Sequence, residues 1–265
     1  MRTIRDASWE IAKRFFAAVI STVGVFILFG IVLERLEVII TSRMYQDIGG
    51  SAVLVTAVVG TPLHEIAHWL GCKLFGFNVI EVKLLRPIEY KNDGILGYVS
   101  YSMSSNSWWS KLGSVITGMA PMILGSVFII LIVYFVTPEI FDSVRKSIYD
   151  REESRIPILS CWWAALTGFW KGVISLRKWG ILRGVICLYL VMSTAMHMTV
   201  SPQDIKSAAR GFGIVALLYL IYAIITAAIG NDYKKPALLV GGFISMVLSI
   251  GLLSDLLLLV LTVVF

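Results

Sequence analysis

Charge is scarce in this chain: 15% of its residues are Asp, Glu, Lys or Arg, against about 25% in a typical soluble domain. Hydrophobic residues make up 57% and mean hydropathy is +0.82, so lipid is expected to solvate much of the molecule. Cysteine is scarcer still. Cys72, Cys161 and Cys187 form no C-x-x-C pair, which argues against a thiolate zinc cluster and against a disulfide framework. Dense basic clusters are missing too. The net charge of +6 comes from 23 Lys+Arg against 17 Asp+Glu. The basic residues lie between apolar runs, where they read as interfacial anchors and topology signals, with no nucleic-acid partner. No internal repeat or low-complexity tract is visible.

What the chain has in quantity is long apolar runs. A membrane helix needs about 20 mostly apolar residues, and the candidates are 15–33, 51–72, 112–136, 180–200, 211–229 and 236–265. The expected fold class is an all-α polytopic membrane protein with about six transmembrane helices, forming a single integral-membrane domain over 1–265. The first run follows Arg2, Arg5, Lys13 and Arg14, as a signal peptide would. It has no small-residue cleavage site before Glu34, so it is expected to be retained as a helix. The last run carries Asp255 and is expected to tilt, break or emerge early. Basic residues are nearly balanced between the two sides of this arrangement, so charge does not orient it.

Two stretches between the runs differ from them. Over 77–106, Ile80, Val82 and Leu84 alternate with Glu81 and Lys83. After Asn92-Asp93-Gly94, Ile95, Gly97, Val99, Tyr101 and Met103 alternate with Tyr98, Ser100 and Ser102. Period two with a turn signal predicts a small β-hairpin at the membrane surface. The stretch 137–179 is a charged linker followed by Trp162, Trp163, Phe169, Trp170, Lys171 and Trp179, a mixture that suggests an interfacial helix. A seventh span at 158–176 is the alternative.

Histidine is the other rarity, and it is concentrated. Of three histidines, two stand in Thr61-Pro62-Leu63-His64-Glu65-Ile66-Ala67-His68-Trp69, an HExxH pattern. Residues four apart share a helix face, so His64 and His68 can converge on one zinc ion. Glu65, beside them, is set to take a proton from the activated water as catalytic base. HExxH is short enough to arise by chance. Here, however, Glu65 is the only charged residue between Asp47 and Lys73, and an ionisable group inside a membrane helix is costly enough to suggest function.

A catalytic zinc usually has a third protein ligand. Cys72 continues the histidine stripe, but three residues over two turns cannot all reach one ion. It reads better as a packing residue. The stronger candidates lie in Met196-His197-Met198-Thr199-Val200-Ser201-Pro202-Gln203-Asp204, which ends a run without formal charge since Arg183. His197 and Asp204 are too far apart on a continuous helix to share the ion unless Pro202 bends the chain. Asp204 is favoured as ligand, with His197 and Ser201 around it, His197 as a support or as a donor to the transition state. Asp255 is a weaker candidate. With one span between them, the second and fourth helices run in the same direction, so their C-terminal ends share one membrane face.

These residues resemble the site-2 protease family of intramembrane zinc metalloproteases over about residues 50–210. The carriers are HEIAH in a membrane helix, the hairpin after it, Gly118-Met119-Ala120-Pro121 opening a span, and an acid ending a later helix. The segment Ser201-Pro202-Gln203-Asp204 keeps the Pro and Asp of that family's motif and lacks its Asn and its Leu-Asp-Gly ending. The resemblance implies hydrolysis of peptide bonds in transmembrane or membrane-anchored substrates. It also implies a prokaryotic plasma membrane and an active site towards the cytoplasm. The strand Gly97, Tyr98, Val99, Ser100 is expected to hold an unwound substrate by strand addition. The competing expectation is a non-catalytic zinc-binding membrane protein, acting as a regulator or partner subunit. Other membrane HExxH hydrolases take a later glutamate, and none follows Glu153. A transporter is a third reading, weakened by the lack of inverted repeats.

Overall fold

A computed structural model describes residues 4–103, 107–150, 157–175, 181–230, 244, 248–260 and 262. The first helix continues well past residue 33, the expected end of its apolar run. Helix α1 (Ile4–Val19), a π-helical turn (Ile20–Gly24) and α2 (Val25–Asp47) follow one another without a break. No proline interrupts residues 34–47, so the helix carries Glu34 and Glu37 on it. In the π turn the Thr22 hydroxyl donates to the Ala18 carbonyl at 2.7 Å and bonds the Tyr219 hydroxyl at 2.6 Å, tying this turn to α10 (Phe212–Ile229).

Among the described residues, four helices are long and apolar enough to cross a membrane: Arg5–Asp47, Gly50–Phe75, Trp108–Val136 and Phe212–Ile229. A fifth arises if Leu182–His197 and Pro202–Ala209, bent by 59°, count as one broken span. Much of the sixth candidate, 236–265, lies outside the described residues. Its described part is a shorter apolar helix, α11 (Leu248–Val260).

Helix α3 (Gly50–Phe75) is the centre of the arrangement. Helix α8 (Ile181–His197) runs parallel to it: Tyr189 donates to the Val55 carbonyl, Ser193 to that of Thr56, and the end of α8 reaches His64. The parallel course comes from the intervening α5 (Trp108–Val136), which packs antiparallel on α3. Thr117 meets Gly71, and Gly113 meets Phe75. The α3–α8 approach is closest at Gly60. A Cβ there would collide with the Ser193 carbonyl and stand 2.5 Å from His197 Cδ2. Gly60→Ala is therefore expected to cost about 1–3 kcal/mol by overpacking, read as a lower unfolding midpoint in detergent. A variant as stable as the wild type would mean that the two helices separate freely at this point.

Strands β1 (Asn78–Lys83) and β2 (Tyr98–Ser102) pair antiparallel, Val82 opposite Val99, with an irregularity between Val79 and Glu81. Between them the chain is not wholly extended. A short helix α4 (Tyr90–Asp93) ends at Gly94, whose φ of 72° makes the turn. The Ile95 amide and the Arg86 guanidinium both bond Asp93, holding its carboxyl below the ordinary range. This segment runs back along the flank of α3. Val79, Val99 and Tyr101 pack with Cys72 and Phe75 at one end, Gly97 meets Glu65 midway, and Tyr90 packs with Ala52 and Val53 at the other. From Ala52 to Phe75 is about 35 Å at 1.5 Å per residue, so the hairpin flanks α3 along most of its length.

The stretch 137–179, expected as a charged linker followed by an interfacial helix, contains two helices. Helix α6 (Pro138–Tyr149) and α7 (Pro157–Ser175) pack together, Ile140 and Val144 against Gly172 and Gly168. Proline at its first position starts α6 directly after α5. Helix α7 is not among the four candidate spans.

Candidate metal centre

Proline and helix ends prepare the site by freeing backbone carbonyls. In α5 the carbonyl of Thr117 would accept from residue 121, but that residue is Pro121 and has no N–H. The orphaned carbonyl instead accepts from His68 Nδ1 at 2.9 Å. At the end of α8 the carbonyl of His197 has no partner within its own helix, and it accepts from His64 Nδ1 at 2.6 Å. A carbonyl can only accept, so in both rings the proton sits on Nδ1 and the Nε2 lone pair is free.

Those two Nε2 atoms face each other at 3.0 Å. The third group comes from α9 (Pro202–Ala209), which starts after the 59° bend. Ser201 caps this helix in a capping box. Its hydroxyl and its amide bond Asp204 Oδ2 at 2.6 and 3.0 Å. With Oδ2 held, Oδ1 lies 3.3 Å from His68 Nε2. Helix α9 comes this close because residue 118 is glycine: a Cβ there would stand 2.7 Å from the Asp204 carbonyl and 3.2 Å from Ala208.

His64, His68 and Asp204 thus offer one ligand atom each, all within 4.8 Å of one another. Tetrahedral ligands at 2.0–2.1 Å from a zinc ion are about 3.3 Å apart. Three acceptors converging without a donor between them are satisfied together by a cation, so the donor set fits a metal ion.

The remaining expected site residues fall around this group. Glu65 lines a cavity of about 430 Å³ beside His64, with Gly97 against its Cγ. His197 also lines the cavity, but its ring turns to Thr56 Oγ1 at 3.3 Å. Its carbonyl accepts from His64 Nδ1, and its ring is not part of the converging group of three. Of the strand expected to hold substrate, Gly97 reaches the cavity, as does Leu96, whereas Tyr98, Val99 and Ser100 do not line it. The Tyr98 hydroxyl bonds Glu81 at 2.8 Å and Val99 packs under Cys72 and Phe75. Cys72 is buried in that cluster. Asp255 is fully buried apart from the triad.

Several contributors have only a faint sequence signal. The role of Thr117 follows from counting back four from Pro121. The α2 residues Glu34, Glu37, Thr41 and Ser42, which also line the cavity, are signalled by a polar stripe at helical spacing. The chain matches no family model, no curated protein and no solved structure.

Proposed function

We propose that the chain is an intramembrane zinc metalloprotease of the site-2 protease kind. It would hydrolyse peptide bonds of membrane-embedded or membrane-proximal substrates. The observation that carries this is the convergence of both HExxH imidazoles with the Asp204 carboxylate, while the Glu65 side chain lines the adjoining cavity. Two nitrogen ligands and one carboxylate suit zinc. When bound, zinc supplies Lewis acidity towards a carbonyl oxygen and makes water a better nucleophile.

The rest of the chemistry belongs to the chain. His64 and His68, oriented by the carbonyls of His197 and Thr117, and Asp204, oriented by Ser201, hold the ion. Glu65 accepts the proton of the attacking water and returns it to the departing amide nitrogen. A segment of substrate must be unwound to enter, since a helix has its carbonyls bonded. Among the described residues each strand of the two-stranded sheet keeps one edge without a partner strand, which is where an extended segment would add. Val99→Pro should lower turnover by about tenfold or more, as misplacement of a substrate does, with zinc content intact. Unchanged turnover would reject strand addition.

In this reading the chain crosses a prokaryotic plasma membrane six times. The four long helices support it, together with the bent pair and the apolar α11. The metal centre lies towards the cytoplasmic side, and substrate arrives by lateral diffusion, alone or with a membrane partner. The test is zinc content of the purified chain and cleavage of a transmembrane reporter. Zinc without cleavage of any membrane reporter would favour a non-catalytic zinc protein, and absence of zinc would refute the proposal.

A further inference from the structure

The cavity beside the metal centre has a second wall that the hydrolytic chemistry does not use. Glu34, Glu37, Val38, Thr41 and Ser42 of α2 line it. Their spacing, i, i+3, i+4, i+7 and i+8, is one stripe of a helix. Four of these five residues are polar, on a helix otherwise rich in Ile, Leu, Val and Phe. The stripe shares the cavity with Thr61, His64 and Glu65 of α3. The volume, about 430 Å³, is within the range of roughly 300–1,000 Å³ usual for ligand sites.

The charge on this wall is one-sided. None of the described lining residues is a lysine or an arginine. Glu34 has Arg35 at 3.5 Å, but the Arg35 side chain is 77% exposed. Glu37 accepts from the Thr199 hydroxyl. Asp255 of α11 lies near enough to Glu37 to interact with it electrostatically. It is fully buried, and neither of its carboxylate oxygens has a hydrogen-bond partner among the described residues. Asp255 is not itself a lining residue; the independent sign of a missing occupant in the cavity is Thr61. It is 4% exposed, lines the same cavity, and its hydroxyl is likewise without a partner among the described residues. Two carboxylates on one wall, with no lysine or arginine among the described lining residues, call for a group that brings both positive charge and N–H donors.

We propose that the α2 wall is a subsite for a lysine or arginine side chain of the peptide segment held at the metal centre, with Glu37 as its main partner and Glu34 at its rim. The proposal rests on the protease reading for the identity of the occupant as substrate. Binding of the basic group does not itself require turnover. Membrane segments commonly carry Lys or Arg at their cytoplasmic flank, so the substrates selected are those whose basic flank lies near the bond to be cut.

The test uses the full zinc-loaded chain in detergent micelles and a labelled transmembrane peptide. A lysine is walked through the peptide's juxtamembrane turn, with glutamine and glutamate at the same positions for comparison. Fluorescence anisotropy gives Kd, and cleavage is followed on the same peptides. At the productive position lysine should bind about tenfold more tightly than glutamine, the scale of one charge-assisted hydrogen bond, and glutamate more weakly than either. Glu37→Gln should abolish the preference, and Glu37→Lys should shift it to the glutamate peptide, with zinc content of each variant checking the fold. Equal Kd for lysine and glutamine at every position would overturn the proposal, as would a lysine preference that survives Glu37→Gln. Lysine-selective binding without cleavage would leave the subsite standing and remove the protease reading. Cleavage without selectivity would do the reverse.

Discussion

A Glu65→Gln chain is expected to keep its zinc and to lose peptide hydrolysis by a factor of about 10²–10⁴, the usual contribution of a positioned general base. The carboxylate is not one of the three converging ligand groups, so its loss should leave metal affinity nearly unchanged. Its side chain is buried, lines the cavity beside His64, and has the Gly97 backbone against its Cγ. An amide of the same shape fills that space and cannot take up the proton. The check is metal analysis of the purified variant alongside reporter cleavage. Full activity would remove Glu65 from the chemistry. Loss of zinc would make it a structural support of the centre instead.

Asp204→Ala is expected to weaken zinc binding by at least about a hundredfold, since loss of a group that merely orients a ligand already costs about 10–100-fold. Asp204 is the only anion in the triad, and Ser201 fixes its orientation from both the hydroxyl and the amide. Removing the carboxylate leaves two imidazoles, too few protein ligands for a stable zinc site. His197→Ala is the contrast. The His197 carbonyl, not its ring, holds His64, so this variant should bind zinc far more tightly than Asp204→Ala. Competition with a chromophoric chelator gives both affinities. If His197→Ala released zinc and Asp204→Ala did not, the assignment of the third ligand would be reversed.

What could be read from residues alone was what local spacing carries. The apolar runs marked the long helices, and the period-two pattern marked a hairpin that the structure pairs as β1 and β2. The HExxH spacing put two imidazoles on one helix face. Helix ends were less legible. Glu34 looked like the end of the first span because a charge is costly in lipid, yet the helix continues through it to Asp47, since helical hydrogen bonding is indifferent to where the apolar run stops. In the charged stretch after α5 the aromatic and basic mixture marked the second helix, whereas the first, α6, was read as linker; the two pack on each other at Gly168 and Gly172.

Composition determined that this chain has helices long and apolar enough to cross a membrane, and the four-residue spacing determined that His64 and His68 share a face, because both are properties of a single segment. Only the tertiary structure decided that Asp204 and not the His197 ring joins them. That choice depends on a bend before Pro202, on the capping box at Ser201, and on the close approach at Gly118. Likewise, Pro121 announces a free carbonyl in sequence, but only packing turns it to His68. The acidic stripe of α2 meets the cavity for the same reason. Contacts between residues far apart in the chain depend on how whole helices pack, and no local pattern contains that.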